Sequence, residues 1–428
     1  MNVFEQFESN VRSYCRSFPA VFHTARGSVL TTADGTRYLD FFAGAGALNY
    51  GHNHPVIKGA VLEYLAADGV AHGLDMHTTA KAEFLTELAT RRLIPSQLDY
   101  KVQFTGPTGA NAVEAALKLA RKVTGRTGIF SFMGGYHGHS LGALAASANR
   151  EHRAAAGTGL TGVTMLPFPD GPFAATANID TLAYLRALLA DSHSGDEIPA
   201  AIIVETVQAE GGIRVAPSDW LVELRGICTE YDILLIVDDI QTGCGRVGPF
   251  FSFEAAGLVG ELRPDLVTVS KSIGGLGLPM ALVLIRPEFD QWKPAEHTGT
   301  FRGNQLAFVA GAAALAVFDD QGLAAVTDEN ARVVERRLRS DFSALDERIA
   351  VRGRGLIWGI DYAKIDATGA LAKSIARRCF DDGLLIERVG RNDTVMKVLP
   401  PLTITPEELD EGLAIIANAT KAVLDIHS

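Results

Sequence analysis

The chain has 428 residues, 47% of them hydrophobic, with a formal net charge of −11 and a pI near 5.5. This length can bury a large core, which we expect to be divided between two domains. The acidic balance argues against nucleic acid as a partner. The N-terminus lacks an apolar signal-peptide core, and no uncharged apolar run approaches the roughly 20 residues of a membrane span. We therefore expect a cytoplasmic protein without a membrane partner.

The cysteines and histidines give no sign of a disulfide or a metal site. The four cysteines form no CxxC pair and no zinc-binding spacing, which favours reduced thiols. The histidines of "HNH" (52–54) and "HGHS" (137–140) lack the i, i+4 helical spacing of a zinc protease. The sequence predicts no metal.

Strand-like and helix-like segments alternate along the chain. "GSVLTTADGTRYLDFFAG" predicts two short strands around the turn Asp34-Gly35. "GANAVEAALKLARKVTG", "SDWLVELRGICTEY" and "NQLAFVAGAAALAVF" are typical of helices. Between them lie short apolar runs, predicted to be buried strands at 101–105, 128–132, 200–205, 233–239 and 265–270. This alternation indicates an α/β fold with a mostly parallel sheet covered by helices on both faces.

The same alternation suggests a division of the chain into three parts. Residues 51–320 are predicted to form the large domain, which contains the parallel sheet. Residues 321–428, beyond the Ala-rich helix, form a smaller α+β domain. Residues 1–50 are expected to pack beside that small domain.

Two of the predicted strands end in residues that carry chemistry. "ILLIVDDIQTGCGRVG" (233–248) ends its strand with Asp238 and Asp239, and "VSKSIGGLGLP" (269–279) ends its strand at Lys271. Open α/β sheets bind ligands at the carboxyl ends of their strands. A partly desolvated lysine readily becomes a nucleophilic amine. A pyridoxal phosphate (PLP) site needs such a lysine and a carboxylate that keeps the ring nitrogen protonated, which Asp238 would supply.

A dinucleotide site is the alternative for the same region. "GCGRVG" has the GxGxxG spacing, and Asp265 follows Gly245 by 265 − 245 = 20 residues. However, the two adjacent carboxylates would repel a pyrophosphate, and Pro249 stands where a long helix should open. We therefore favour PLP, and we expect Asp239 to be a structural or helix-capping carboxylate.

Three segments resemble the class-III aminotransferases, a family of fold-type I PLP-dependent transferases. "VDDIQTGCGRVG" is similar to the family's Asp-Glu-x-Gln-Thr-Gly-x-Gly-Arg segment, with Asp239 in place of Glu. "VSKSIGGLGLP" is similar to its lysine loop, with Ser270 where Gly is common. "HTGTFRGNQLA" is similar to its His-Gly-Ser-Thr-x-x-Gly-Asn-Pro-Leu-Ala segment, with Gln305 in place of Pro. The resemblance runs nearly end to end and implies a mostly parallel sheet of the seven-stranded type between helices, plus a smaller α+β domain.

The resemblance also implies how the phosphate is held. Thr108, Gly109 and Ala110 lie at a Gly-rich turn into a helix, and a helix N-terminus favours an anion. In the family, Thr300 reaches the phosphate bound by the neighbouring subunit. That role implies a homodimer, with a tetramer as the larger alternative.

The cofactor ring has its own set of matching residues. By resemblance, Tyr136 stacks on the ring and His137 lies beside it. Gln241 would reach the phenolic oxygen of the ring. His139 replaces the family's usual Arg, which leaves the role of that position open.

Glu210 matches the family's gating carboxylate. In the family this residue pairs with an Arg while a terminal amine reacts, and then releases that Arg to bind the α-carboxylate of glutamate. Lys397 stands in place of that Arg, which predicts either a weaker clamp or a surface lysine.

The N-terminal segments "FESNVRSYCRSFP" and "DFFAGAGALNYGHNHP" resemble the subgroup that serves ectoine biosynthesis. That resemblance implies amino transfer from L-glutamate to L-aspartate 4-semialdehyde, giving L-2,4-diaminobutyrate and 2-oxoglutarate. The alternative is another ω-aminotransferase of the ornithine or 4-aminobutyrate type, or a racemase or mutase on the same fold. A non-catalytic binding protein is disfavoured because both Lys271 and Asp238 are present.

Overall fold

The computed structural model describes residues 3–427. Its strands are β1 (Phe22–Arg26), β2 (Val29–Thr32), β3 (Arg37–Asp40), β4 (Lys101–Phe104), β5 (Ile129–Phe132), β6 (Val163–Leu166), β7 (Ala201–Val204), β8 (Val207–Gln208), β9 (Arg214–Val215), β10 (Leu234–Asp238), β11 (Leu266–Val269), β12 (Leu282–Ile285), β13 (Ala350–Arg354), β14 (Ile357–Asp361), β15 (Leu384–Leu385), β16 (Glu387–Val389) and β17 (Val395–Val398).

The helices surround and connect these strands. They are α1 (Val3–Phe7), α2 (Tyr14–Ser17), α3 (Ala43–Gly46), α4 (Pro55–Ala66), α5 (Thr79–Leu88), α6 (Gly109–Thr124), α7 (Leu141–Ala146), α8 (Arg150–Ala154), α9 (Pro172–Ala177), α10 (Thr181–Ala190), α11 (Ser218–Glu230), α12 (Ser252–Ala255), α13 (Gln305–Asp320), α14 (Leu323–Leu345), α15 (Ala370–Asp381) and α16 (Pro406–His427). Single turns of 3₁₀ or π type lie at Ala89–Leu93, Gly260–Leu262, Lys271–Gly274, Pro287–Phe289 and Arg391–Asp393.

A seven-stranded sheet forms the centre of the molecule, in the order β4-β12-β11-β10-β7-β5-β6. Only β12 runs against the others, because it pairs antiparallel with both β11 and β4. This confirms the mostly parallel sheet, and the five expected strands are found within about a residue of their predicted bounds. The sequence reading did not identify β6 and β12.

Both faces of this sheet are covered, as expected. Along β10, Leu234 and Ile236 belong to a core cluster shared with α6, which packs on one face. Leu235 and Val237 point to the opposite face and join a cluster that includes residues of α11 and α13. Burial on both faces explains why the strand is a continuous apolar run rather than an alternating one.

The same sheet brings Asp238 and Lys271 to one edge. β10 and β11 are parallel neighbours, and Asp238 lies opposite Thr268 in their register. β11 ends one residue later, and Lys271 opens the turn Lys271–Gly274. Because parallel strands end at the same edge, residues that follow them along the chain meet in space.

Two smaller sheets complete the fold. β13, β14, β17 and β16 form an antiparallel sheet near the C-terminus, and β1, β2, β3 and β15 form the other. β15 pairs in parallel with β3, which joins the N-terminal segment to the C-terminal region. The division of the chain at residues 50 and 320 stays a prediction.

Some features of the described chain bear on partners and ions. No single helix within residues 3–427 is long and apolar enough to cross a membrane; α13 and α14 meet the length and composition only together, and are bent by 66° where they join. In the same part of the chain, no group of three or more His, Cys, Asp or Glu side chains could hold a metal ion. All four cysteines are free thiols.

Gly275, directly after the lysine turn, requires glycine for two reasons. Its φ is +71°, in the region that disfavours other residues. A Cβ atom at this position would lie 2.4 Å from the backbone carbonyl oxygen of Ala310 in α13. The lysine loop is therefore pressed against that helix, which fixes its path.

We expect Gly275→Ala to destabilise the protein by about 2–4 kcal/mol, because a strained φ and a clash with backbone add together. Gly260→Ala is the matched control: Gly260 has a φ of +59°, but nothing lies within 4 Å of an added Cβ. The control should cost about 1 kcal/mol. Thermal unfolding midpoints of both purified variants measure the difference. Equal shifts would show that the contact with Ala310 does not constrain the loop.

Candidate active site

A cavity of about 310 Å³ opens at the carboxyl edge of the central sheet. It lies between the ends of β10 and β11 and the start of α6. Its lining includes all the predicted site residues except Thr300, namely Thr108, Gly109, Ala110, Tyr136, His137, Glu210, Asp238, Gln241 and Lys271. The structure thus brings together residues that lie up to 163 positions apart in the sequence, from 108 to 271.

Three groups hold the Asp238 carboxylate in position through hydrogen bonds. His137 Nδ1 lies 2.6 Å from its Oδ2, and the Thr268 hydroxyl and the Ile240 N–H donate to its Oδ1 at 3.1 and 3.2 Å. Burial lowers the pKa of His137, but its hydrogen bond to Asp238 and the charge of Asp238 outweigh this and raise that pKa. This shift favours the positively charged form of the His137 imidazole, which complements the buried carboxylate.

Asp239 points away from the cavity and has a structural role, as expected. Its carboxylate accepts hydrogen bonds from the Thr242 hydroxyl at 3.0 Å and from the Ser252 N–H at 3.1 Å. Ser252 begins α12, so Asp239 stabilises the start of that short helix. Burial raises the pKa of Asp239 to about 7, although these hydrogen bonds oppose the shift.

Lys271 presents its amine to the cavity from a strained backbone. Its φ is +53°, which is uncommon for a residue with a side chain. Burial lowers the pKa of Lys271 to about 8, although the charge of Glu210 opposes the shift. A substantial fraction of the amine is therefore neutral near pH 7–8, which suits a nucleophile or a base.

Glu210, which lines the cavity and is partly exposed, forms an ion pair with the fully buried Lys397. Lys397 Nζ lies 2.7 Å from Glu210 Oε1, and the Gln241 side-chain amide donates to the same oxygen at 3.3 Å. Burial raises the pKa of Glu210, but the charges of Lys397 and Lys271 outweigh this and hold it below its ordinary value. Lys397 is 0% exposed, so the surface-lysine interpretation is wrong.

The start of α6 leaves room for an anion near its backbone. Thr108 caps the helix by accepting a hydrogen bond from the Asn111 N–H at 3.3 Å. The first N–H groups of a helix have no partner within it and favour a negative charge. A Cβ at Gly109 would lie 2.9 Å from the Ile240 side chain, and one at Gly138 would lie 2.6 Å from Ala110 Cβ. The absence of a side chain at Gly138 therefore leaves room beside the start of α6.

Tyr136 and His139 line the cavity, and His152 packs against His139. The Tyr136 ring meets the His139 ring edge to face, with centroids 5.5 Å apart. The His139 ring in turn lies 4.6 Å from that of His152. Burial and the neighbouring His152 lower the pKa of His139, so this position lacks the permanent charge of the family's Arg.

Thr300 lies outside the cavity lining and is exposed. It sits in the loop before α13, close to Phe301, which is also exposed. The structure of one chain therefore does not bring Thr300 to the other predicted site residues. Its role toward a neighbouring subunit stays a prediction.

Two acidic residues of the site were not predicted as functional. Glu205, at the end of β7, lines the cavity and accepts a hydrogen bond from the Tyr136 N–H at 3.0 Å. Glu387 lies 2.7 Å from Lys397. Glu205 follows a buried strand, as Asp238 does, and that position was an available signal. Glu387 had no comparable signal, because it follows no strand of the central sheet.

A comparison with protein families decides the relationship. The family model "Aminotransferase class-III" matches residues 12–420. The chain belongs to the class-III aminotransferases. It is 51% identical to a diaminobutyrate–2-oxoglutarate transaminase of Vibrio parahaemolyticus, covering 100% of this chain and 99% of the relative. It is 53% identical to the protein of that name from Streptomyces avermitilis, over 98% of both chains.

Solved structures resemble this aminotransferase along nearly its whole length. The ornithine aminotransferase of Toxoplasma gondii has a TM-score of 0.84 and 26% identity, covering 99% of this chain and 94% of that one. The taurine:2-oxoglutarate aminotransferase of Bifidobacterium kashiwanohense, in complex with PLP and glutamate, has a TM-score of 0.83 and 25% identity, covering 95% and 93%. These likenesses confirm the fold-type I architecture.

The buried Glu205 of this aminotransferase makes a prediction about pH. Burial raises the pKa of Glu205 to about 8, although the charge of His137 opposes the shift. An unfolded Glu titrates near about 4.3, so the folded chain binds the extra proton between the two values. Stability therefore falls as the pH rises through that window, and the full loss is reached above pH 8.

Glu205→Gln should escape this loss, because glutamine is neutral at every pH and its carbonyl can still accept from Tyr136. We expect its gain in stability over the native protein to be about 2–3 kcal/mol larger at pH 9 than at pH 6. Thermal midpoints at the two pH values measure the gain. Glu261→Gln, at a side chain that is 94% exposed, is the control and should show no such dependence. A pH-independent effect of Glu205→Gln would contradict the raised pKa.

Proposed function

We propose that this aminotransferase moves the amino group of L-glutamate to the aldehyde carbon of L-aspartate 4-semialdehyde. The products are L-2,4-diaminobutyrate and 2-oxoglutarate. The observation that carries the reaction type is that the Lys271 amine and the Asp238 carboxylate line the same cavity. The choice of substrate is supported by the full-length identity of 51–53% to diaminobutyrate–2-oxoglutarate transaminases.

The residues of the cavity fit PLP as the cofactor. Lys271 offers a partly neutral amine to an aldehyde, and Asp238 offers a fixed negative charge to a protonated ring nitrogen. The start of α6, at Thr108, Gly109 and Ala110, offers N–H groups to a phosphate. The aldehyde, the ring nitrogen and the phosphate of PLP thus each have a complementary partner.

Other residues would complete the hold on the ring. Tyr136 lines the cavity and offers an aromatic face to the ring. His137 holds the Asp238 carboxylate in position through its Nδ1. Gln241 lies within the same wall and already donates to the Ala45 carbonyl at 3.0 Å. We propose that Gln241 approaches the phenolic oxygen of the ring.

When bound, PLP supplies an electron-withdrawing ring that lowers the cost of removing a proton from the substrate carbon next to the amine. Lys271 is the group that would remove and return that proton, because burial keeps part of its amine neutral. Asp238 would keep the ring nitrogen charged throughout, since His137 and Thr268 both stabilise the carboxylate of Asp238. Two half-reactions at one site would give ping-pong kinetics.

The pair of Glu210 and Lys397 would let one site accept both substrates in turn. While Lys397 pairs with Glu210, the carboxylate of Glu210 balances the charge of the ammonium. When Glu210 releases it, the ammonium can bind the carboxylate of glutamate. A lysine makes a point-charge contact rather than the two-pronged contact of an arginine, so this clamp is weaker than the family's usual one.

We propose that the enzyme works as a cytoplasmic homodimer, or as a tetramer built from such dimers, in ectoine biosynthesis. The exposed position of Thr300 supports a role outside its own subunit. An ω-aminotransferase of the ornithine or 4-aminobutyrate type is the alternative function. It is less favoured because the ornithine aminotransferase neighbour is only 26% identical.

Product identification tests the proposed function. Purified enzyme with PLP, L-glutamate and L-aspartate 4-semialdehyde should form L-2,4-diaminobutyrate and 2-oxoglutarate in equal amounts, measured by mass spectrometry. Lys271→Ala should reduce turnover by at least about 10³-fold, since it removes the base. Faster reaction with L-ornithine or 4-aminobutyrate than with L-2,4-diaminobutyrate, in the presence of 2-oxoglutarate, would favour the alternative.

Mixing two inactive variants tests the shared site. If Thr300 serves the neighbouring subunit, Thr300→Ala damages the partner's site, whereas Lys271→Ala damages its own. In a heterodimer of the two variants, both lesions fall on one site and the other site is intact. Activity should therefore reappear, at up to about half the native value per heterodimer.

The mixing experiment needs two controls. Thr300→Ala alone must be clearly impaired, and the loss of one phosphate hydrogen bond is worth about 1–3 kcal/mol. Heterodimers must be verified with two different affinity tags. If verified heterodimers stay inactive, Thr300 acts within its own subunit and the shared-site proposal fails.

A further inference from the structure

The short element α3 (Ala43–Gly46) has a left-handed backbone. Its four residues have φ values of +46°, +58°, +56° and +87° in chain order. Residues with a side chain rarely adopt this conformation, because the Cβ atom crowds the following carbonyl oxygen. Asp40 holds the start of the turn, since its Oδ1 accepts hydrogen bonds from the Phe42 and Ala43 N–H groups at 2.9 and 2.7 Å. Strained backbone of this kind is concentrated at functional sites.

Two carbonyl groups of α3 bind two parts of the cavity wall. The Ala45 carbonyl accepts a hydrogen bond from Gln241 Nε2 at 3.0 Å, and the Gly46 carbonyl accepts one from the Ser272 hydroxyl at 2.8 Å. Gln241 lines the cavity, and Ser272 directly follows Lys271. A Cβ atom at Gly46 would also lie 3.3 Å from Gln241 Cγ. One strained turn therefore contacts both Gln241 and the lysine turn.

The partners of Gln241 decide which way its side-chain amide faces. Its Nε2 lies near two acceptors, the Ala45 carbonyl at 3.0 Å and Glu210 Oε1 at 3.3 Å. Its Oε1 accepts a hydrogen bond from Lys397 Nζ at 3.4 Å. A reversed amide would place its oxygen against both acceptors and its NH₂ group against an ammonium. The Ala45 carbonyl thus fixes one N–H, and the other faces Glu210, which lines the cavity.

We propose that α3 is the positioning element for Gln241: the Ala45 carbonyl holds one N–H of the amide and thereby directs the other to the phenolic oxygen of PLP. The bond to Glu210 is long at 3.3 Å, so a closer acceptor can replace it. This inference rests on the proposed function, which brings that oxygen to Gln241. Ala45 and Gly46 act through Gln241 and are positioning residues.

Gly46→Ala tests this role in the PLP-loaded enzyme, because the added methyl group would press on Gln241 Cγ. The measurement is the pH midpoint at which the visible absorption of the bound cofactor changes. An N–H donor stabilises negative charge on the phenolic oxygen and so lowers the proton affinity of the cofactor. We expect Gly46→Ala to raise the midpoint by about 1 pH unit, as the loss of one hydrogen bond to a charged group predicts.

Gly35→Ala is the matched control for backbone strain. Gly35 has a φ of +89°, close to the +87° of Gly46, but no atom of the described residues lies within 4 Å of an added Cβ. This variant should leave the midpoint unchanged. Gln241→Ala should raise it as Gly46→Ala does. Combining the two should raise it no further, because no Gln241 side chain is left to displace.

Ser272→Ala provides a second test that adds no atoms, in case Gly46→Ala does not fold. It removes the hydroxyl that donates to the Gly46 carbonyl and should raise the midpoint by about half as much. Ser270→Ala is its control, since the buried Ser270 hydroxyl also donates to a backbone carbonyl, that of Met280 at 2.9 Å, but does not touch α3. Equal shifts in the two variants would assign the effect to the lysine turn and overturn the role of α3.

The titrations contain no substrate, so their outcomes are distinct from those of the product assay. If Gln241→Ala leaves the midpoint unchanged, Gln241 does not reach the phenolic oxygen, and that contact and this inference both fail. If Gln241→Ala raises the midpoint but Gly46→Ala behaves like Gly35→Ala, the contact stands and positioning by α3 is overturned. Failure to form L-2,4-diaminobutyrate would overturn the proposed substrate and leave this inference standing.

Discussion

The parallel pairing of β10 and β11 is the constraint on which the site depends. It places Asp238 opposite Thr268 and lets the chain reach Lys271 two residues after β11 ends. The Thr268 hydroxyl, on the neighbouring strand, then donates to Asp238 at 3.1 Å. A slip of one residue in this register would turn the two side chains to opposite faces of the sheet. The cavity would then lose one of its two central groups.

Burial at this edge forces every ionised group to have a partner. An isolated charge in a low-dielectric interior costs several kcal/mol, so a buried charged group is paired or is neutralised by gaining or losing a proton. Asp238 is paired with His137, and Lys397 with two carboxylates. Glu205 is neutralised instead, because burial raises its pKa to about 8 and leaves it largely protonated at neutral pH.

This division of charge has a consequence for catalysis. Lys271 must lose a proton to act as a base, and Asp238 must stay ionised beside a cationic ring nitrogen. Burial lowers the pKa of Lys271 to about 8, while the partners of Asp238 stabilise its charge. Neighbouring groups in one cavity thus differ in charge, because burial favours the neutral amine of Lys271 and hydrogen bonds favour the anionic carboxylate of Asp238.

The sequence by itself determined the features that depend on neighbouring residues in the chain. Apolar runs predicted the buried strands, and the positions just after two of them identified Asp238 and Lys271. Helix patterns predicted α6, α11 and α13 within one or two residues. These properties are local, since strand and helix periods are set by the backbone. The edge strand β6, only partly buried, lacked the continuous apolar pattern that made the five predicted strands recognisable.

Only the tertiary structure decided how the buried charges are shared. Lys397 pairs with Glu210, 187 residues away in the chain, and its cross-strand neighbour Glu387 completes the cluster. His137 meets Asp238 across 101 residues. No pattern along the chain encodes such contacts, because whether a lysine is a surface charge or a buried one depends on which strands pair and what covers them. The sequence identified the reacting residues, but the pairing of their charges depends on how the sheets fold.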